Sequence, residues 1–503
     1  MINSVRVDLQ PIGKTLEVPR GTLLQDLLFA YGVEFPCGGN GRCKGCRVRV
    51  LSGSLSPTAE EEEILSGREL AEGWRLACRS MVTDPVTLEI KQWETPILAD
   101  DSAFEFAPQE GLGIAVDLGT TTIVVQLIDL QTGHVLGVRA ALNPQVAFGS
   151  DVMSRVQLAL TLDGELRLRR SIREGIGDMI ADLLRTDLRG GRRIHKVTIV
   201  GNTVMHHLFC GIDVDPLAHY PFEPVHDGLQ TFRAAELGWT ISGDPAVSFL
   251  PCLGGFVGSD ILAGVLATKM PESDSLVALV DLGTNGEVVL GMDERMLCAS
   301  TAAGPAFEGA RITRGMRAAT GAISEVRISG RRPRCRVLGN EPPRGICGSG
   351  LVDAVAAGLE LGAISPSGRL TGGVTEWLLD PPVSLSQNDI RELQLAKGAI
   401  AAAIRVLLSQ WRAEAQEVTK VYLAGAFGNY INRTSARRIG LIDFPEGKVQ
   451  PAGNTALLGA KLALFRKDEE DPDFTSLRRR ITHISLASNP QFQDVFVECM
   501  SFP

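Results

Sequence analysis

Apolar and polar positions alternate in short stretches at the start of the chain. Val5, Val7 and Leu9 are separated by polar residues, as are Leu16 and Val18, which is the period of two half-buried strands. Leu23, Leu24, Leu27 and Leu28 then recur at helical spacing as far as Tyr31, with Thr22 as the expected cap and Gly32 as the stop. Residues 47–51 read as a strand, and Thr58 with Glu61 forms a capping box for a short helix through Ile64 and Leu65. Between 93 and 111 the periodicity disappears and Pro, Asp and Glu accumulate, which predicts a linker of intermediate stiffness. It either lets the small N-terminal module change position or lies flat on the larger domain. Beyond it, apolar runs alternate with glycine turns, and the Ala-rich stretch 396–408 reads as a packed helix.

The order strand, strand, helix, loop, strand, helix, strand suits a small β-grasp domain. Its loop reads FPCGGNGRCKGC and carries Cys37, Cys43 and Cys46, followed after 31 intervening residues by Cys78. An iron–sulfur cluster needs four thiolates converging on one point, with backbone amides near the sulfides. Gly38, Gly39, Gly41 and Gly45 let the backbone curl closely around such a core. The spacing C-x5-C-x2-C…C resembles the adrenodoxin-type variant of the plant ferredoxin pattern and predicts a 2Fe–2S cluster. Zinc prefers paired C-x2–4-C knuckles, and one pair is missing here. A Rieske centre needs two histidines near the cysteines, and none precedes His134.

Two later segments resemble one another across 164 positions: Ile114–Asp129, IAVDLGTTTIVVQLID, and Ala278–Asp293, ALVDLGTNGEVVLGMD. Each is an apolar strand, Asp-Leu-Gly-Thr, a polar turn and a second apolar strand. Asp117 and Asp281 end buried strands, where a carboxylate can hold the hydration shell of Mg2+. Gly119, Gly283 and Gly286 let backbone amides approach phosphate oxygens, and Thr120, Thr121, Thr122, Thr284 and Asn285 add donors. A third turn, Gly425-Ala426-Phe427-Gly428 within VYLAGAFGNYIN, offers small residues against which an adenosine can lie.

Composition narrows the partners. Of 503 residues 44% are hydrophobic and 22% charged, and the net charge is −9, so an acidic chain argues against nucleic acid as the main partner. The arginines at 167, 169 and 170 and at 478–480 stand in mixed sequence and read as solvated helix faces. No run of about 18 apolar residues predicts a membrane span, and MINSVRVDLQ lacks a signal's apolar core. Six of the ten cysteines are scattered singly, which suits a reducing cytoplasm. His206 and His207 read as core or cleft-lining residues before metal ligands. Cys347 either faces phosphate or packs among small residues.

The two hairpins and the third turn, in this order, resemble the phosphate-1, phosphate-2 and adenosine motifs of the ASKHA superfamily. That resemblance implies two duplicated ribonuclease-H-like subdomains with ATP between them. It also makes Asp260, in GGFVGSD, the carboxylate that orients the attacking water; the plainer reading is an Asp complementing a helix N-terminus. IVGNTVMHHLF (199–209), STAAGPAFEGA (300–310) and GICGSGLVDA (345–354) narrow the family further, and together with the N-terminal ferredoxin the chain resembles the reductive activators of corrinoid-dependent enzymes. Such proteins use ATP to return a Co(II) corrinoid protein to Co(I), the state that accepts methyl groups. The implied nucleotide contacts add Asn202, Gly304, Gly348, Ser349 and Gly350. The implied fold is α+β and α/β multidomain: a 2Fe–2S ferredoxin over 1–93, a linker over 94–111, ASKHA subdomains over 112–275 and 276–465, and a tail over 466–503. The implied partners are a corrinoid protein, a low-potential electron donor and a second copy of the chain, joined through the ATPase domain. The chain is short for this family, with a bare linker where some members carry an extra middle domain, and it lacks the C-x2-C-x2-C run of members with added clusters. Two rival readings remain. An activator of a 2-hydroxyacyl dehydratase would carry a cysteine where Thr301 stands, and a small-molecule kinase would leave the cluster without a task.

Overall fold

The computed structural model describes residues 4–503, apart from 11–13, 30–45, 91–105, 150, 187–191, 284, 310, 317, 319–320, 339–341, 429, 467–470 and 472–473. The N-terminal strands form as their alternation predicts. Ser4–Gln10 buries Val5, Val7 and Leu9 on one face and pairs antiparallel with Lys14–Pro19 and parallel with Val86–Ile90. Arg47–Ser52 and Trp74–Leu76 complete a five-stranded sheet. Thr22 is not a helix cap. Thr22–Leu23 pairs with Met81–Val82 as a short second sheet, the Thr22 hydroxyl donates to the Pro19 carbonyl, and the helix is Leu24–Phe29. Backbone pairing outcompetes a local cap at that position. Tyr31 and Gly32, the expected end of this helix, lie outside the described residues.

The two glycine hairpins open two six-stranded sheets of the same plan. In the first, Leu112–Leu118, Thr122–Asp129 and Val135–Leu142 form an antiparallel meander, and Ile194–Gly201 and Ala246–Phe249 continue the sheet parallel to Leu112–Leu118. In the second, Val277–Leu282, Gly286–Met292 and Arg295–Thr301 form the meander, with Lys420–Ala424 and Val449–Gly453 on the parallel side. This repetition is the duplicated ASKHA plan.

Each sheet buries a long helix. On Leu162–Thr186, residues Leu168, Ile172, Ile176 and Ile180 recur every fourth position and pack on Ile114, Val116, Val125 and their neighbours. The Ala-rich stretch lies within Gln387–Trp411, where Ala396, Ala399, Ala402 and Ala403 are buried. Small side chains bring this helix close to the hairpin: a Cβ on Gly286 would stand 2.5 Å from Ile400 Cγ1.

The chain divides into two compact units, Met1–Ala267 with Ala456–Ser476, and Thr268–Thr455 with Leu477–Pro503. The returning helix Thr455–Leu464 docks tightly in the first unit. A Cβ on Gly459 would stand 2.1 Å from the Ala263 carbonyl, and one on Gly113 would stand 3.0 Å from Leu464 Cδ1.

In the second unit Asp353 is buried on helix Gly348–Glu360, where Oδ2 accepts the Val326 amide at 3.3 Å. Burial pushes its pKa up to about 6, against the opposing pull of a hydrogen bond with the Ser435 side chain. Between about pH 4 and pH 6 the folded protein therefore holds a proton that the unfolded chain has lost, so stability falls as pH rises through that window. A rise from about 4 to about 6 corresponds to about 3 kcal/mol. Urea unfolding should show Asp353→Asn gaining about that much on the wild type by pH 7 and little at pH 4.

Candidate functional site

Cys46 immediately precedes strand Arg47–Ser52 and Cys78 follows Trp74–Leu76, and these strands pair antiparallel with Arg47 opposite Leu76. The Ala77 amide donates to the Cys46 carbonyl at 2.9 Å. The two buried sulfurs consequently stand 3.3 Å apart, too far for a disulfide of about 2.05 Å and close enough for both to ligate one soft centre. Their donor chemistry fits an iron–sulfur cluster. Cys37 and Cys43 lie outside the described residues. Glu61 does more here than its capping box predicts. Its fully buried carboxylate caps at Thr58 N (2.8 Å), and its other oxygen accepts from Leu76 N (2.5 Å) and the Ser80 hydroxyl (3.1 Å).

In the first ASKHA hairpin, Gly119 N donates to the Thr122 carbonyl at 3.0 Å, and a Cβ on Gly119 would stand 2.6 Å from that oxygen. Protein donors occupy the turn's carbonyls: Asn143 Nδ2 on Gly119 (2.9 Å), Arg155 Nη2 on Thr120 (2.7 Å) and Asn143 N on Thr121 (2.8 Å). These bonds turn the carbonyls toward protein donors; a carbonyl aimed at an anion would repel it. The Thr120 hydroxyl accepts from Asn202 Nδ2 at 2.9 Å, and Asn202 caps helix Thr203–Cys210 through Met205 N.

Asp117 runs alongside Val200 in the parallel register. Ser259 hydrogen-bonds the backbone of Gly201, and a Cβ on Gly258 would stand 2.1 Å from the Gly201 carbonyl. That docking brings half-buried Asp260, at the start of Ser259–Ala267, to the end of the strand beside Asp117's. Its Oδ1 accepts the Ile261 amide at 2.9 Å.

Arg155 escaped the sequence reading, since an arginine in an ordinary helix carries no signal. It is fully buried, also donates to the Gly149 carbonyl and Gln145 Oε1, and burial lowers its pKa to about 10, leaving it charged at neutral pH. Arg155→Met would strand three acceptors, two of them on the buried residues Thr120 and Gln145. We expect a loss of about 3 kcal/mol by chemical denaturation; a change below 1 kcal/mol (roughly the worth of one net hydrogen bond) contradicts that role.

His206 and His207 are buried on helix Thr203–Cys210. His207 Nδ1 bonds the Thr203 carbonyl at 2.8 Å, His206 stands edge-on to Phe249, and burial lowers the His207 pKa. Among the described residues no group of three or more His, Cys, Asp or Glu is arranged to hold a metal.

In the second hairpin Asp281 pairs with Glu287 across the antiparallel strand and runs alongside Ala424. Gly283 N donates to Asn285 O at 3.1 Å; Thr284 lies outside the described residues. Gly425, at φ +82°, closes on the same place: a Cβ there would stand 2.7 Å from Asp281 Oδ1 and 2.8 Å from the Leu282 carbonyl. The DLGT turn and the short helix Gly425–Gly428, which includes Ala426, therefore lean on each other. Phe427 stacks on Phe307 with centroids 4.6 Å apart, tying in the 300–310 stretch, where Gly304 turns at φ +77°. Glu287, only 7% exposed and bonded by the Ser300 hydroxyl at 3.3 Å, puts a second carboxylate opposite Asp281 that the sequence reading passed over.

Gly348, Ser349 and Gly350 are differently placed. A Cβ on Gly348 would stand 2.0 Å from the Phe307 carbonyl and one on Gly350 2.1 Å from that of Ile323, while the buried Ser349 hydroxyl donates to Ser324 O at 3.0 Å. These residues let a helix approach backbone closely. Cys347 is buried 3.3 Å from the Ser349 hydroxyl, and burial raises its pKa.

Three family profiles match in succession: a 2Fe-2S iron-sulfur cluster binding domain over residues 7–83, the RACo middle region over 112–273, and the C-terminal domain of RACo, the ASKHA domain, over 275–503. A middle region is thus present, directly after the 94–111 segment. Corrinoid activation enzyme RamQ of Eubacterium limosum is 29% identical over 98% of both chains. The [Co(II) methylated amine-specific corrinoid protein] reductase of Methanosarcina barkeri is 29% identical over 78% of this chain and 77% of its own. Among solved structures, a reductive activator for corrinoid,iron-sulfur protein superposes with TM-score 0.68 at 28% identity, covering 99% of this chain and 98% of that one. With a cysteine pair fit for a cluster, a twice-built ASKHA sheet and relatives matched from end to end, the chain belongs to the RACo family of reductive activators of corrinoid proteins.

Proposed function

We propose that this protein uses ATP to drive one electron from its own 2Fe–2S module onto the Co(II) of a partner corrinoid protein, restoring Co(I) and so supporting a corrinoid-dependent methyltransferase system. The observation that carries this reading is the union, in one chain, of a ferredoxin module and a duplicated ASKHA plan, aligned along nearly its whole length with a corrinoid activation enzyme.

The cluster, held by Cys37, Cys43, Cys46 and Cys78, supplies a single electron when bound. At about −400 mV for a plant-type cluster the transfer to corrinoid Co(II) is uphill, and each 100 mV costs about 2.3 kcal/mol per electron. ATP changes that balance only if the nucleotide states of this protein bind the two cobalt states with different affinity.

In this reading Asp117 and Asp281 hold hydrated Mg2+. Amides of Gly119 to Thr122 and Gly283 to Gly286 surround the phosphates, and Asn202 fixes the Thr120 hydroxyl. Asp260 orients the attacking water, and Gly425 to Gly428 with Gly304 shape the adenosine side. Gly348, Ser349 and Gly350, the first of them against the Phe307 carbonyl, complete the nucleotide contacts. A low-potential donor recharges the module, and the protein works in the cytoplasm as a homodimer through its ATPase domain. No described helix is long and apolar enough to cross a membrane.

The test is an anaerobic mixture of this protein, a Co(II) corrinoid protein, a low-potential reductant and ATP. Co(I) absorbance should grow only when ATP is present. Equal growth without ATP, or phosphorylation of a small molecule in its place, overturns the reading.

A further inference from the structure

We propose that Glu61 is a positioning residue that keeps the cluster strongly reducing, by fixing the turn that bears Cys78 and by holding a negative charge beside it. The inference rests on the 2Fe–2S reading of Cys46 and Cys78, and iron analysis of the wild type tests that reading separately.

Glu61 is fully buried, yet both its oxygens are occupied. Oε2 accepts from Thr58 N at 2.8 Å and Oε1 accepts from Leu76 N at 2.5 Å, while the single proton of the Ser80 hydroxyl is shared between Oε1 and the Leu76 carbonyl, each at 3.1 Å. An oxygen pair that only accepts, from three donors, is the bonding pattern of an ionised carboxylate. Both bonds to Oε1 come from the Cys78 turn, one from two residues before the cysteine and one from two residues after it. Backbone bonds from Arg79 N and Ser80 N to the Leu76 carbonyl, at 2.8 and 3.1 Å, close the same turn. Two residues of chain span at most about 7 Å, so the carboxylate stands close to the backbone of Cys78, which its two partners bracket.

A capping box needs only the bond to Thr58 N. A capping glutamate that reaches a second element from full burial must recover a desolvation cost there, and the element it reaches carries a cluster ligand. Cluster reduction adds one electron and breaks no bond. A fixed negative charge close by disfavours the added electron, and so makes the reduced module a stronger donor.

The experiment is an anaerobic redox titration of the full-length protein with titanium(III) citrate, followed by EPR of the reduced cluster, with iron content measured on each sample. Glu61→Gln keeps the shape and removes the charge. At fixed solution potential its ratio of reduced to oxidised cluster should rise about tenfold, a positive shift of about 59 mV for one electron. Glu61→Asp keeps the charge and should stay within about threefold of the wild type. A Glu61→Gln protein with full iron and an unmoved midpoint overturns the proposal, as does Glu61→Asp moving as far as Glu61→Gln. Should Glu61→Gln fail to hold iron, Ser80→Ala decides. Loss of that hydroxyl leaves the carboxylate less neutralised, so the reduced fraction should fall, and an unchanged fraction counts against the idea.

Discussion

Cys78→Ser protein, purified without oxygen, is expected to retain less than about a tenth of the wild-type iron and to form no Co(I) with ATP and reductant. Cys78 is buried at the end of a strand whose neighbour carries Cys46, and the strand register holds their sulfurs 3.3 Å apart. A serine hydroxyl in that place is a hard, weakly acidic donor and cannot replace a thiolate on a soft metal. The same substitution at Cys46 should behave alike. Stabilisation of the folded protein by ADP should survive in both, because the proposed nucleotide contacts belong to the two six-stranded sheets and the cysteines to another. Iron that stays near the wild-type level in both variants would remove these two residues from the cluster.

The second large effect is expected at Asp281. Asp281→Asn should lower ATP turnover by about a hundredfold or more, and ATP-dependent Co(I) formation with it, since lost charge stabilisation at a reacting phosphate is of that order. The fold surrounds this carboxylate closely, with Glu287 across the hairpin and Gly425 against Oδ1. Gly425→Val offers a second route to the same outcome. Its side chain would enter the space of Oδ1 from a backbone at φ +82°, a conformation that a β-branched residue strongly resists. Asp117→Asn should show the same trend. Turnover within threefold of the wild type (under about 1 kcal/mol of barrier) in both Asp281→Asn and Gly425→Val would take this turn out of the ATP site.

Much of this was legible in the chain because its signals are local. Alternation placed the N-terminal strands, the Thr58–Glu61 pair capped its helix, and two copies of DLGT stood on two hairpins of one plan. What escaped depends on long-range pairing. Thr22 has every local mark of a cap but is taken into a strand by Met81–Val82, some sixty residues away. Arg155 holds the Thr120 carbonyl of the first DLGT turn from a helix whose sequence is ordinary, and Glu61 reaches Leu76 and Ser80 only once the sheet has formed. Gly348 and Gly350 of GICGSG are nucleotide contacts only by resemblance to the family, because glycine allows a close approach by many kinds of atom. In the fold, the atoms that approach them are carbonyls of the protein itself.

The excursion of residues 456–476 into the first unit bears on how the protein is made. Helix Thr455–Leu464 packs against Ala263 and, beside Leu130, against Gly113. Domains of a growing chain ordinarily settle in the order in which they leave the ribosome. Here the earlier half cannot finish until almost the whole polypeptide has emerged, so a gene split after Ala267 would produce a fragment lacking one of its own walls.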